Sequence, residues 1–166
     1  MRISSNASIC NAPDSTGNTV SRSVPSFAEK KKGTIRLLAI DDESDYLSFI
    51  QVVAEDLGFE VFTLAHSAEF ESAFSGFKPD ILMVDIMMPD LDGIEIARSL
   101  AKSSGPKNII FMSGFQTDFT KFAKVLANPD GIHSVHSFSK PIHLGPFREL
   151  LIRLREESEL AESYNL

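Results

Sequence analysis

Apolar and polar residues follow one another along the chain in blocks that predict five strands. Each strand is a short apolar run that ends in polar residues, as is typical of strands in α/β proteins. The five runs span residues 35–40 (β1), 59–64 (β2), 81–84 (β3), 108–112 (β4) and 135–138 (β5). The third is continuously apolar, which indicates a central strand buried on both faces of a parallel sheet.

Helical periodicity fills the segments between these strands. The first helix (α1) begins near Ser44 or Asp45, carries an apolar stripe from Tyr46 to Leu57 and ends at Gly58. The second (α2) runs from Ser67 to the Lys78-Pro79 pair. Three more are predicted at 94–100 (α3), 117–126 (α4) and from about 144 onward (α5). Alternating strands and helices predict a parallel sheet covered by helices on both faces.

The amino-terminal residues differ in composition from the rest. Residues 1–33 are rich in Ser, Asn, Thr and Gly without periodicity, so we expect a disordered extension, a folded domain over 34–160 and a short tail at 161–166. Cys10 is the single cysteine, so no intramolecular disulfide can form. There is neither an apolar run of about 18 residues nor a signal-peptide pattern, and we expect a cytoplasmic protein without membrane insertion.

The net charge of −7 divides into +4 for residues 1–36 and −11 for the remainder. Because duplex binding requires a basic face that neutralises phosphates, the acidic body argues against direct DNA binding. Lys30, Lys31 and Lys32 could tether an acidic partner or surface, but short charge runs are usually solvated linkers, and we favour that interpretation.

Polar residues close four of the strands, and these carry the candidate chemistry. Asp41 and Asp42 follow β1, Asp85 follows β3, Ser113 follows β4 and Lys140 follows β5. Carboxyl ends of parallel strands share one edge of the sheet, where ligands bind in open α/β folds. Three neighbouring carboxylates repel one another unless a hard cation or an ammonium lies between them. The pattern therefore predicts a Mg²⁺ site flanked by a lysine.

Five motifs in this order resemble the receiver domain of two-component response regulators, of the chemotaxis-regulator type. They are Ile-Asp-Asp-Glu at 40–43, Val-Asp at 84–85, Met-Pro-Asp-Leu-Asp-Gly at 88–93, Met-Ser-Gly at 112–114 and Ser-Lys-Pro at 139–141. The resemblance covers residues 35 to about 158. It implies an α/β, flavodoxin-like (βα)5 three-layer sandwich whose parallel sheet has the strand order 2-1-3-4-5.

The resemblance also implies a role for each site residue. Asp85 would be the phosphoacceptor, supplied by a histidine kinase or histidine phosphotransfer protein, and Ser113 and Lys140 would contact the phosphoryl group. The expected ligands of Mg²⁺ are Asp41, Asp42, Asp85 and the backbone carbonyl of Met87, with Glu43 supporting its waters. Such a protein is not a conventional enzyme, although it catalyses its own phosphorylation and slow self-dephosphorylation. Its output would be contact with a downstream protein through the α4–β5–α5 face.

Three further expectations concern the residues around the site. Receivers usually carry Tyr or Phe three residues before the lysine, but here that residue is Ser137, and Phe138 should lie on the opposite face of β5. A cis peptide bond is expected between Lys140 and Pro141. Met87 and Phe115 would flank the phosphoryl group without orienting a water, so self-dephosphorylation should be slow.

Several alternatives remain open. The chain could be a pseudo-receiver scaffold that is never phosphorylated, or the receiver part of a larger regulator, since too few residues follow 158 for an output domain. A nucleotide-binding or flavodoxin-type enzyme is disfavoured because the loop after β1 is acidic and lacks glycine. A phosphatase that used Asp85 would require a second acidic residue at position 87, where this chain has Met87. The four histidines lack metal-site spacing, and we interpret them as structural or exposed: His66, His133, His136 and His143.

Overall fold

A computed structural model describes residues 27–89, 108–114 and 134–164. The five strands are β1 Arg36–Ile40, β2 Glu60–Leu64, β3 Ile81–Asp85, β4 Asn108–Ser113 and β5 Ser134–Ser139. The described helices are α1 Ser44–Asp56, α2 Phe70–Phe77 and α5 Leu144–Tyr164, and a 3-10 turn at Ser67–Glu69 precedes α2. The helices expected at 94–100 and 117–126 lie outside the described residues, and so does most of the expected extension, residues 1–26.

The strands form one parallel sheet in the order β2-β1-β3-β4-β5, which confirms the predicted topology. The central strands are in close register, with Ile40 opposite Val84 and Asp85 opposite Met112. The carboxyl ends of the strands therefore reach the same edge of the sheet, and the residues that follow them are neighbours in space.

The alternation of side chains along each strand divides the core between the two faces of the sheet. In β1, Leu37 and Ala39 belong to the cluster that packs under α1 and α5, whereas Leu38 and Ile40 belong to the cluster under α2. All four side chains are fully buried. The continuous apolar runs thus serve two cores at once, as the prediction of a strand buried on both faces requires.

Part of the segment that was expected to be disordered contacts this domain through Phe27, Ala28 and Lys30, although residues 28–33 are exposed, and the domain boundary at residue 34 stays a prediction. The ring of Phe27 lies edge-on to Phe62 of β2, with centroids 4.9 Å apart, and 5.2 Å from the ring of Phe77 at the end of α2. The composition of the segment is polar on average, but one aromatic side chain gains enough burial to hold it. Contacts with the folded domain therefore begin before β1.

Polar contacts fix the same segment at the amino-terminal edge of the sheet. The guanidinium of Arg36, only 2% exposed, donates to the carbonyls of Phe77 (2.8 Å) and Ala28 (2.7 Å). The Asp80 carboxylate accepts from the backbone N–H of Arg36 (2.8 Å) and pairs with the Lys30 ammonium (2.6 Å). Hydrogen bonds to charged groups are the stronger ones, so this network anchors residues 28 and 30 to the starts of β1 and β3.

We predict that Phe27→Ala lowers the free energy of unfolding by about 1–3 kcal/mol, less than for a fully buried phenylalanine because the ring is half-buried. Lys31→Ala, an exposed position in the same segment, should change it by less than about 0.5 kcal/mol. Urea denaturation of both variants measures the difference. Equal effects would show that the aromatic contact does not stabilise the domain.

Gly76 offers a direct test of where the Phe27 ring lies. A Cβ at Gly76 would come within 2.9 Å of the ring, although alanine is intrinsically better than glycine in a helix by up to about 1 kcal/mol. Gly76→Ala should therefore be neutral or destabilising in the natural chain and stabilising in the Phe27→Ala variant. A double-mutant cycle without coupling between these positions would contradict the packing.

Candidate functional site

Four sequence-predicted residues meet at the carboxyl edge of the sheet. Asp41 immediately follows β1, Asp85 is the last residue of β3, Ser113 is the last of β4 and Lys140 follows β5. The Ser113 carbonyl accepts the Lys140 backbone N–H at 2.8 Å, which ties the ends of β4 and β5 together. Asp41, Asp85 and Ser113 are almost completely buried, so this edge is an enclosed polar crevice.

The ammonium of Lys140 is the centre of the crevice. Its Nζ donates to Asp85 Oδ2 (2.7 Å), to Asp41 Oδ1 (3.0 Å) and to Glu43 Oε1 (2.8 Å). The lysine side chain is 7% exposed, whereas that of Glu43 is 58% exposed. Three donors thus serve three carboxylates, and the single positive charge offsets part of their mutual repulsion.

The protonation of the cluster follows from these contacts. Burial disfavours the charged form of Lys140, but the hydrogen bonds to Asp85, Glu43 and Asp41 outweigh it and hold the pKa of the lysine above its usual value. For Asp41, burial outweighs the hydrogen bonds from the Glu43 N–H and Lys140, and the pKa is raised. Lys140 is therefore a permanent cation, and Asp41 carries its charge at a cost in stability.

Both buried carboxylates are oriented by the same local turn. Asp41 Oδ1 accepts from the N–H of Glu43, and Asp85 Oδ1 accepts from the N–H of Met87, each at 2.9 Å. Such bonds from an Asp side chain to the backbone two residues ahead are a common turn device. They fix one oxygen of each carboxylate, while the other oxygen of Asp85 accepts from Lys140 and the other oxygen of Asp41 lies 2.9 Å from the same Nζ.

The carboxylates fit a hard divalent cation. One oxygen each from Asp41, Asp42 and Asp85 can lie within 4.8 Å of the others. Among the described residues, Asp41 Oδ2 is buried without a hydrogen bond, and its contact with Lys140 Nζ at 2.9 Å is an ion pair outside the hydrogen-bonding direction. An oxygen-only donor set that includes a buried oxygen without a hydrogen bond suits Mg²⁺. The Met87 carbonyl as a further ligand stays a prediction.

Two contacts of the lysine were missed by the sequence analysis. Glu43 is hydrogen-bonded to Lys140, while its expected support of metal-bound water stays a prediction, and the ring centroid of Tyr46 lies 4.4 Å from Lys140 Nζ. Glu43 is the residue just before α1, directly after the acidic pair, and Tyr46 lies three positions later in the first turn of the helix. That spacing was visible in the sequence, but it did not indicate that this face of the helix points to the end of β5.

The end of β5 agrees with two sequence expectations. Ser137 is exposed, while Phe138 is half-buried and packs edge-on against Phe147 of α5 at 5.9 Å, on the opposite face. The peptide bond between Lys140 and Pro141 is cis, as predicted. No aromatic side chain therefore occupies the strand position three residues before the lysine.

The histidines of the described ranges do not enter the crevice. His136 Nε2 is within hydrogen-bonding distance (2.8 Å) of the Ser134 hydroxyl, and burial lowers its pKa. His66 and His143 are exposed, and His133 lies outside the described residues. In those same ranges every helix is too short or too polar to span a bilayer.

Comparison with known proteins identifies the family. The sequence pattern of the response regulator receiver domain family matches residues 37–143 of the chain. These residues contain the whole acidic cluster and Lys140. The chain belongs to the response regulator receiver family. It is thus a receiver domain of two-component response regulators, and the predicted fold class, a flavodoxin-like sandwich, is confirmed together with the family.

Individual relatives of this receiver differ in length. It is 32% identical over 114 residues to the response regulator receiver protein CpdR of Brucella abortus (strain 2308), covering 66% of this chain and 87% of CpdR. It is 29% identical over 86 residues to the regulatory protein PhoP of Bacillus subtilis (strain 168). That match covers 52% of this chain and only 36% of PhoP. A response regulator structure from Colwellia psychrerythraea superposes with a TM-score of 0.57 and 30% identity, covering 74% of this chain and 98% of the other.

We predict that Asp41→Asn raises the free energy of unfolding in metal-free buffer near neutral pH, by about 0.5–2 kcal/mol as for other stabilising replacements. The folded-state pKa of Asp41 lies above its ordinary value of 3.8, so the charged form is disfavoured in the folded state. The gain should shrink as the pH falls below the folded-state pKa and vanish below about 3.8, because the natural side chain is then neutral in both the folded and the unfolded state.

Chemical denaturation at several pH values measures this effect. Asp42→Asn serves as the control, because Asp42 is exposed and its replacement should change stability by less than about 0.5 kcal/mol. A destabilised Asp41→Asn variant at neutral pH would contradict the proposed cost of the buried charge.

Proposed function

We propose that this receiver accepts a phosphoryl group on Asp85 from a histidine kinase or histidine phosphotransfer protein, in a reaction that requires Mg²⁺. The observation that carries the proposal is the environment of Asp85. It is a buried carboxylate at the end of a central strand, 2.7 Å from the Lys140 ammonium and within the acidic cluster. A carboxylate so placed can act as a nucleophile towards phosphorus.

Each residue of the site has a separate role in the proposed reaction. An Asp85 oxygen forms the new bond to phosphorus, while the bond from phosphorus to the donor breaks and its electron pair leaves with the donor. Lys140 would hold negative charge on the phosphoryl oxygens, because its N–H groups already point at Asp85. The Met87 N–H keeps the carboxylate in its orientation through the reaction.

Asp41, Asp42 and Asp85, together with the Met87 carbonyl, would hold the Mg²⁺ ion. When bound, it neutralises charge on the transferred oxygens. The chain contributes the oxygen donors and a crevice from which bulk water is largely excluded, since Asp41 and Asp85 are 0% and 3% exposed. Charge stabilisation is strongest in such a surrounding of low dielectric constant.

The proposed signal is a conformational change that a downstream protein reads through the α4–β5–α5 face. Ser113 would donate its hydroxyl to a phosphoryl oxygen and draw the β4–α4 loop inward. Because Ser137 replaces the usual aromatic residue, the rotation of a ring on β5 is not part of the proposed mechanism. We further propose a stand-alone receiver in the cytoplasm, and CpdR, a receiver protein by name that is covered over 87% of its length, supports the stand-alone part. The net charge of −11 on residues 37–166 argues against direct DNA binding.

We predict that incubation with Mg²⁺ and acetyl phosphate adds about 80 Da to the intact protein. Asp85→Asn should abolish the addition, because an amide cannot act as the acceptor. Intact-mass spectrometry in the presence and absence of a chelator measures it. Asp41→Ala and Asp42→Ala should slow labelling and weaken its dependence on Mg²⁺ without unfolding the domain.

Asp80→Asn is the matched control. Asp80 immediately precedes β3, at the opposite end from Asp85, so its replacement should leave labelling intact. A wild-type chain that folds and binds Mg²⁺ but is never labelled would identify a pseudo-receiver. Full labelling of Asp85→Asn would instead move the acceptor to another residue.

A second prediction concerns how long the phosphorylated state lasts. The Met87 side chain is 60% exposed at the mouth of the crevice and cannot orient a water for attack on the aspartyl phosphate. Phe115, the second flanking residue in the proposal, lies outside the described residues. Met87→Asn with Phe115→Glu should shorten the phosphorylated lifetime about ten-fold, as expected if one ordering hydrogen bond in the transition state is gained.

Loss of label from purified protein measures this lifetime. Met87→Leu, which keeps an apolar side chain of similar size, is the control and should leave the lifetime near that of the natural chain. If the double variant loses its label no faster, water access at these two positions does not set the lifetime.

A further inference from the structure

We infer that Tyr46 is a positioning residue for phosphoryl transfer: the face of its ring holds the Lys140 ammonium in the crevice from the side of α1. The inference rests on the proposed function, because it concerns the lysine that would contact the phosphoryl group. It adds a residue that belongs to none of the five motifs around the acidic cluster.

The contact has the geometry of a cation–π interaction. Lys140 Nζ lies 4.4 Å from the centroid of the Tyr46 ring, within the distance of about 6 Å at which a cation is attracted by the ring face. The lysine side chain is only 7% exposed, so water competes little for the ammonium. Such contacts are stronger when the cation is desolvated.

The ring itself is held in place by the core. Tyr46 is half-buried and packs against the buried cluster under α1 and α5. Its backbone N–H donates to the Glu43 carbonyl at 3.1 Å, in the first turn of α1. The ring is therefore a fixed surface, whereas the lysine has a long flexible side chain that loses rotamer freedom when it is ordered.

A neutral ring differs from the other partners of the ammonium. Asp41, Asp85 and Glu43 attract it by charge, and the charge on Asp85 is redistributed when the carboxylate becomes an acyl phosphate. Glu43 is largely exposed and attracts the ammonium toward solvent. The attraction by the Tyr46 ring persists in every state of the carboxylates. Tyr46 can thus keep the ammonium near Asp85 while its hydrogen bonds change partners.

The test compares the rate of phosphorylation by acetyl phosphate at saturating Mg²⁺ in three variants. Tyr46→Leu removes the ring face and should slow the reaction roughly two- to thirty-fold, the range expected from the strength of a cation–π contact. Tyr46→Phe keeps the ring face and should recover most of the rate. Phe49→Leu is the matched control, because Phe49 packs on Phe147 of α5 and its replacement should leave the rate unchanged.

A spectroscopic signature reports the contact without phosphorylation. In protein with ¹³C-labelled lysine, the ε-methylene protons of Lys140 should be shifted upfield by the ring current, and Lys140→Met identifies the signal by its loss. The shift should remain in Tyr46→Phe and vanish in Tyr46→Leu. If Tyr46→Leu does not fold, Tyr46→Met removes the aromatic face in the same way and replaces it in both measurements.

The outcomes separate the two proposals. A natural chain that is never labelled refutes the proposed function, and the role of Tyr46 in phosphoryl transfer falls with it. A labelled natural chain with an equally fast Tyr46→Leu variant leaves the proposed function intact and overturns the inference. The inference is also overturned if Tyr46→Phe is as slow as Tyr46→Leu, or if Phe49→Leu slows the reaction as much, since both results indicate packing rather than the ring face.

Discussion

The sharing of one ammonium among three carboxylates is the constraint on which the rest of the site depends. Asp41, Asp85 and Glu43 come from the end of β1, the end of β3 and the start of α1, and all three bond to Lys140 after β5. Without the cation, acids so close together in a buried crevice would repel one another. The strand order places β1 next to β3 and β4 between β3 and β5, so a single lysine side chain has to reach across β4 to hold the edge together.

The gathering of buried charges at this edge lowers the stability of the folded domain. The charged form of Asp41 is less stable in the folded state than in water. Its raised pKa shows this, and so does its buried oxygen, which has no hydrogen bond among the described residues. Elsewhere, the two apolar clusters are closely packed on both sides of the sheet. Functional sites are often the places where local stability rules are broken, and here the surrounding core compensates for the cost.

Much of the fold and of the site was predictable because both follow from order along the chain. Apolar runs of strand length located all five strands, and the polar residue after each run located Asp41, Asp85, Ser113 and Lys140. Directions in space were not predictable in the same way. The sequence shows that Tyr46 follows Asp41 by five residues, but which side of α1 faces Lys140 depends on how the helix packs on the sheet. The packing of Phe27 was not predicted because the mean composition of its segment is polar. A single aromatic residue does not change that mean, and its partners, Phe62 and Phe77, are distant in the sequence.

The packing of Phe27 also decides at which edge of the sheet the described amino-terminal residues meet the domain. Phe27, Lys30 and Arg36 gather around Phe77 and Asp80 at the edge where the strands begin, whereas Asp85 lies at the edge where they end. The five residues of β3, at about 3.3 Å each, separate the two edges by roughly 16 Å. The attachment of residues 27–30 and the acidic cluster around Asp85 therefore lie at opposite edges of the sheet. A partner that bound residues 27–30 would leave the opposite edge of the sheet, with Lys140 and its carboxylates, uncovered.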